Sequence, residues 1–197
     1  AFLAEQLHNK MLFRQILQSI STNHSPKVYD IDRLSSGVDN IFPILFKPVH
    51  AGGGRGIVKL SNQQELISHK NNRAGFDGNG IYEELVPGEL YSISLWYDKD
   101  KVEAYYSEKE FIDLNEFRVN ASITSNSIQT YIGNLKIPEA LAKILYEFGL
   151  KKGYCHTQVL IDSIGNWKIV ECTLRFPGDM YCLNAENFGA FPYSKMY

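Results

Sequence analysis

Two groups of residues in this sequence have the chemistry to hold a charged ligand. In the first, an apolar run from Phe42 ends in Lys47, and Pro48 ends regular strand pairing. The loop Ala51-Gly52-Gly53-Gly54-Arg55-Gly56 follows, and the apolar run Ile57-Val58-Lys59-Leu60 leaves it. This reads as strand, loop, strand, with a lysine aimed at the loop. Glycines let the backbone turn its N–H groups inward and let a ligand approach without Cβ clashes. Successive inward N–H groups form an anion-binding concavity, with Lys47 and Arg55 as counter-charge, so phosphate is the natural guest. The same pattern also reads as a mobile hairpin turn with no ligand. It is not a P-loop, because no Gly-Lys-Ser/Thr closes it, and a strand stands where a dinucleotide fingerprint needs a helix.

The second group lies on a hairpin near the end of the chain. Tyr154 to Asp162 and Trp167 to Thr173 are both strand-like, joined by Ser163-Ile164-Gly165-Asn166. With Asp162 opposite Trp167, Gln158 falls opposite Glu171 and His156 opposite Thr173. Side chains alternate with period two, so all four share one face. Opposed Cβ atoms lie about 5 Å apart. An amide oxygen and a carboxylate at that spacing can hold a hard cation such as Mg²⁺, which takes oxygen ligands and keeps several waters. A half-exposed polar sheet face is the other reading.

Several elements must position these groups. Leu7, Met11, Leu12, Ile16, Leu17 and Ile20 recur at helical spacing and predict a helix over 5–20. Asn9 is placed to cap a segment starting at Lys10, which by itself reads as an exposed first-turn lysine. Val28 to Ile31 reads as a short strand. Ser61 with Gln64 reads as a capping box for a helix over about 62–70. Ile81-Tyr82-Glu83-Glu84-Leu85-Val86 is a strand ending at Pro87-Gly88. Tyr91 to Tyr97 and Val102 to Ser107 form a hairpin. The stretch from Phe111 to Ser127 is polar, with Phe117 to Ile123 strand-like, and its residues carry no assignable role. Pro138 suits the first position of a helix reaching about Phe148.

Composition bounds the rest. The chain has 197 residues, 44% of them hydrophobic, and a formal net charge of −2. That length buries a real core, as one domain or two subdomains. The balanced charge argues against a general nucleic-acid binder. No apolar run approaches the roughly 20 residues of a membrane helix. Cys155, Cys172 and Cys182 are odd in number and form no CxxC pair, so neither a disulfide framework nor a zinc site is indicated, and a reducing, cytoplasmic setting is expected. The start at Ala1 and the stop in an aromatic run read as a trimmed segment. That aromatic tail, Phe188 to Tyr197, reads as core or as a substrate wall.

In order and spacing, these pieces resemble the catalytic domain of the ATP-grasp superfamily, the group that includes biotin carboxylase, carbamoyl-phosphate synthetase and amino-acid ligases. The resemblance runs over nearly the whole chain. It rests on Lys10 opening a helix, Lys47 before the Gly-rich loop, Glu83-Glu84-Leu85-Val86 running into Pro-Gly, and Glu171-Cys172-Thr173-Leu174-Arg175 preceded by Gln158. It implies an α+β fold of two subdomains gripping ATP, the first over 42–88 and the second over 89–197. An N-terminal helical part, 1–41, would pack on the second, and a further N-terminal domain would pack on this chain. Lys10, Lys47, Gly52, Gly53 and Gly54 would touch phosphates. Glu83 would meet the adenine amino group, and the backbone of Glu84, Leu85 and Val86 the ring edge. Gln158, Glu171 and Thr173 would hold Mg²⁺ or Mn²⁺, and Arg175, Lys47 and Arg55 would assist phosphoryl transfer.

The sequence departs from the family pattern at three points. Thr173 replaces the usual asparagine, Gln158 stands where a glutamate is frequent, and Leu90 falls where a ribose-binding glutamate is usual, with Glu89 beside it. The implied activity is an ATP-dependent carboxylate–amine or carboxylate–thiol ligase acting through an acyl phosphate. A nucleotide-binding regulatory domain without catalysis and a phosphotransferase to a non-carboxylate acceptor are the alternatives. His156 reads as structural, since the scheme needs no base there.

Overall fold

The computed structural model describes residues 2–30, 41–72, 80–113 and 117–174. The chain opens with α1 (Phe2–His8) and α2 (Lys10–Ile20) in place of one continuous helix. Asn9 divides them. Its backbone is extended, and its side-chain oxygen accepts the N–H groups of Met11 and Leu12, which starts a new helix at Lys10. A 3-10 turn (Thr22–His24) and a short β1 (Val28–Tyr29) follow.

The strand–loop–strand unit is β2 (Ile44–Pro48) and β3 (Val58–Leu60), leading into α3 (Gln63–Asn71). The capping box sits one residue later than expected. Asn62 accepts the N–H of Glu65, and the Glu65 carboxylate reaches back to the N–H of Ser61. Asn is as good a cap as Ser, and Glu65 completes the box where Gln64 does not. Then come β4 (Gly80–Glu84), β5 (Glu89–Asp98), β6 (Lys101–Asp113) and β7 (Arg118–Ile123). A helix without a clear sequence signal, α4 (Asn126–Asn134), is capped by Ser125 and buries only Ile132. In α5 (Ile137–Glu147), Pro138 is the second residue and not the first. The chain as described closes with β8 (Lys152–Ile161) and β9 (Trp167–Thr173).

The strands form two antiparallel sheets, one in the order β1-β4-β2-β3 and the other in the order β7-β6-β5-β8-β9. The fold is therefore α+β. Alternation splits the five-stranded sheet into two chemically distinct faces. Ile93 and Leu95 of β5 and Cys155, Val159 and Ile161 of β8 join Leu141 and Leu145 of α5, Ile132 of α4, and Phe13 and Leu17 of α2 in the main core. The opposite face carries Leu90, Ser92, His156, Gln158 and Leu160. A second core of Ile44, Phe46, Leu60, Leu66 and Tyr82 holds α3 on the four-stranded sheet.

The β8–β9 ladder changes register in its middle. Near the turn the partners are Ile161↔Trp167 and Val159↔Ile169, whereas beyond it they are Gln158↔Glu171 and His156↔Thr173. Asp162 is therefore not paired with Trp167. It sits in the turn, where its carboxylate accepts the N–H groups of Ile164 and Asn166. A bulge at Val170 absorbs the extra residue, so Gln158 and Glu171 face each other as the sequence suggested.

Candidate functional site

A cavity of about 400 Å³ lies between the two sheets. Its walls come from β2, the glycine loop, the Leu85–Gly88 connection, β5 to β9, and the start of α2. Lys10, Lys47, Gly52, Gly53, Gly54, Arg55, Leu85, Val86, Gln158 and Glu171 all line it, although they span most of the sequence. Bulging at Val170 turns two consecutive residues of β9, Val170 and Glu171, towards the same space.

At one end the cavity is positive. Lys47 is the fourth residue of β2 and is 5% exposed. The ammonium of Lys10 donates to the Ala51 carbonyl, and its backbone N–H donates to the Val49 carbonyl at 3.3 Å. The first turn of α2 is thereby fastened to the strand end and loop that carry the other cationic groups. Burial lowers the pKa of Lys10; the nearby Glu171 opposes that, and Lys47 and Arg14 add to it. The loop itself turns through Gly53 and Gly54 at φ 63° and 76°. A Cβ at Gly52 or Gly53 would meet nothing within 4 Å, so the space beside this backbone is open to a ligand. Arg55 lies along the loop, with its Nε donating to the Gly52 carbonyl at 3.2 Å.

Beneath Lys47 is a buried ionic group that the motif reading did not anticipate. The Glu83 carboxylate pairs with the Lys47 ammonium and accepts a 2.9 Å bond from Arg14 Nε. Arg14 and Glu83 are 2% and 1% exposed. A second Arg14 nitrogen donates to the Val170 carbonyl at 2.7 Å, at the bulge beside Glu171. Burial alone would raise the Glu83 pKa, but Arg14, then Lys47, outweigh it and hold it at about 2. One arginine thus ties together β4, Lys47 through Glu83, and the backbone that presents Glu171.

This arrangement corrects the adenine-pocket expectation. Glu83 is enclosed between two cations and does not line the cavity. Glu84 pairs with Lys168 and accepts the Lys27 N–H, while its own N–H is committed to the Lys27 carbonyl. Only Leu85 and Val86 of that segment reach the wall. Strand alternation decides which of Leu90 and Glu89 faces the cavity. Leu90 lines the cavity, whereas Glu89 points away and pairs with Lys109 at 2.6 Å. No register shift in the β5–β8 ladder brings Glu89 inward.

On the wall formed by β8 and β9, Gln158 and Glu171 are opposed and both line the cavity. Thr173 does not. It lies two residues, roughly 7 Å, further along β9 and is 7% exposed. His156 is hydrogen-bonded to Ser94 at 3.1 Å. Among the described residues no three His, Cys, Asp or Glu side chains gather to hold a metal. A cation here would take few protein ligands. Arg175, Cys182 and the aromatic tail lie outside the described residues.

Comparison with known proteins identifies the family and the fold. The family model for the ATP-grasp domain matches residues 40–183, and the chain belongs to that family. A D-alanine–D-alanine ligase of Pseudomonas putida is 26% identical over 90 residues, covering 44% of this chain and 28% of its own length. The chain therefore spans under a third of that relative. Among solved structures, the N5-carboxyaminoimidazole synthetase of Staphylococcus aureus complexed with ADP aligns with a TM-score of 0.68 at 13% identity, over 87% of this chain and 46% of that one. The biotin carboxylase domain of the Hydrogenobacter thermophilus 2-oxoglutarate carboxylase, in complex with MgADP and bicarbonate, aligns with a TM-score of 0.64 at 17% identity, over 89% of this chain and 41% of that one. These likenesses show the fold.

Proposed function

We propose that this chain is the nucleotide-binding catalytic domain of an ATP-dependent ligase that joins a carboxylate to an amine or related nucleophile. The observation that carries the reading is the single cavity that places Lys10, Lys47, Arg55 and an open glycine loop beside the Gln158–Glu171 pair. Its volume falls in the range of small-molecule sites. The site also fits its proposed guests chemically. Three cations and a Cβ-free backbone suit a polyphosphate, and Leu85, Val86 and Leu90 suit an apolar base. One carboxylate and one amide suit Mg²⁺, which keeps waters and takes phosphate oxygens as ligands.

The chain's residues then have separable tasks. Lys10, Lys47 and the loop N–H groups hold phosphate oxygens, with Lys47 oriented by Glu83. Glu171 and Gln158 would hold Mg²⁺, whose bound charge neutralises the phosphates. Arg55, held along the loop at the cavity edge, would supply positive charge to the transferring group, and Arg175 is proposed for the same task. A substrate carboxylate oxygen attacks the γ-phosphorus, the bond to ADP breaks, and an acyl phosphate results. The nucleophile then adds to the acyl carbon and phosphate leaves. Catalysis of the first step is chiefly positioning and charge neutralisation, which matches a site rich in cations and backbone donors. The two-subdomain division at residue 88, a cytoplasmic setting and a partner domain contributing substrate contacts belong to this reading.

The test is calorimetric binding of ATP with and without Mg²⁺, on the wild-type chain and on Lys47→Ala and Glu171→Ala. The expected result is Mg²⁺-dependent binding that both variants lose. Nucleotide binding unaffected by either variant would overturn the site. Hydroxylamine trapping then separates reaction classes. Hydroxamate formation with ADP release marks an acyl phosphate, and ADP release with a phosphorylated acceptor marks a phosphotransferase.

A further inference from the structure

Gln158 is held from behind by a residue outside every motif considered above. On the cavity face of the five-stranded sheet, Ser92 of β5 is flanked by Glu108 of β6 and Gln158 of β8. Glu110, two residues along β6 and on the same face, reaches across Ser92. Its Oε2 accepts the Gln158 Nε2–H at 2.7 Å, and its Oε1 accepts the Ser92 hydroxyl. Ser92 is fully buried, so this bridge stands on a fixed base. An ionised carboxylate only accepts hydrogen bonds, so Glu110 can engage only the amino end of the amide. The Gln158 carbonyl oxygen is thereby left as the end available to the cavity wall, where Glu171 is its cross-strand partner.

We propose that Glu110 is a positioning residue that makes Gln158 an oxygen ligand for the divalent cation and dictates an amide at position 158. This rests on the nucleotide-site reading above. A glutamate at 158 would put a second carboxylate at hydrogen-bond distance from Glu110, and like charges that close repel strongly. An amide turns the same contact into a charge-assisted hydrogen bond. The negative charge that a glutamate ligand would bring is kept one bond further back, on Glu110, where it polarises the amide towards the cation. Partners that orient a metal ligand in this way are commonly worth about 10- to 100-fold in metal affinity.

The pair can be exchanged, which supplies the test. Mn²⁺ affinity is measured by electron paramagnetic resonance and calorimetry in the presence of ADP, on the wild-type chain, Glu110→Gln, Gln158→Glu and the double variant. Urea unfolding of the same four proteins without nucleotide reports folding. Glu110→Gln leaves the amide without its fixed orientation, and Mn²⁺ affinity is expected to fall about tenfold. Gln158→Glu is expected to lose stability from the carboxylate pair. The double variant, with the charge moved into the ligand, recovers both stability and Mn²⁺ affinity to wild-type level or better. A double variant whose losses are the sum of the singles, or Glu110→Gln with unchanged Mn²⁺ affinity, overturns this inference while leaving the nucleotide site intact. A wild-type chain that binds no Mn²⁺ with ADP overturns both.

Discussion

Glu83→Gln is the most informative single perturbation in this protein. The substitution keeps shape and removes one charge from a group in which Glu83, Arg14 and Lys47 are all nearly excluded from water. The magnitude follows in two ways. The Glu83 pKa lies at about 2 against an ordinary value of 4.5. At about 1.4 kcal/mol per pH unit, that difference is worth about 3 kcal/mol of folding stability. Removing one partner of a buried ion pair, which strands the opposite charge, typically costs 3–5 kcal/mol, roughly the same size. The sign is fixed by the depressed pKa. The contribution is complete above about pH 4.5 and is lost as pH falls through about 2. Urea unfolding of wild type and variant from pH 7 to pH 2 is the assay. Wild type is expected to exceed the variant by about 3 kcal/mol or more at pH 7, and the gap should close in acid. A nucleotide titration at pH 7 adds the functional readout, since Lys47 loses its anchor and affinity should fall. A stability difference below about 1 kcal/mol with parallel acid slopes would refute the claim that this triad is a buried, mutually dependent ionic unit.

Three further outcomes are expected. Gly88 has φ 133°, and a Cβ there would lie 2.4 Å from the Ile161 carbonyl oxygen. Gly88→Ala should therefore lower stability by at least about 2 kcal/mol in urea unfolding, because rigid backbone cannot give way. Gly53→Ala meets no neighbour but must hold φ 63°, so the loss should be only about 1–2 kcal/mol while nucleotide affinity falls further. Burial lowers the Lys10 pKa, so nucleotide affinity should begin to drop at a pH below that of an ordinary lysine as the ammonium is lost. Lys10→Arg, which stays charged, should flatten that part of the calorimetric pH profile.

What the sequence conveyed and what it did not divide along a physical line. Cross-strand partners at the site were legible because period-two alternation fixes faces, and the Val170 bulge happened to restore the register that a simple hairpin count assumes. Lys10, Lys47 and the glycine loop were legible because their types and order are unusual. Arg14 and Glu110 were not, since each acts through another side chain and neither stands in a motif. A signal for Arg14 did exist. It lies one turn beyond Lys10, at i+4, so the two share a helix face. The hydrophobic stripe assigned to α2 included Met11 and Leu12, yet these are 41% and 38% exposed, while Phe13, Arg14 and Leu17 are buried. The rotation of α2 is set by its polar residues as well as by its apolar ones. In the observed phase Lys10 reaches Ala51 and Arg14 reaches Glu83 while Phe13 and Leu17 enter the core. A count of apolar residues therefore found most of the packed face, with Leu7 and Leu17 buried and Ile16 and Ile20 against the core, but put Met11 and Leu12 on it in place of Phe13 and Arg14. The difference traces to a buried arginine whose partners lie 69 and 156 positions away in the chain, beyond the reach of any local count.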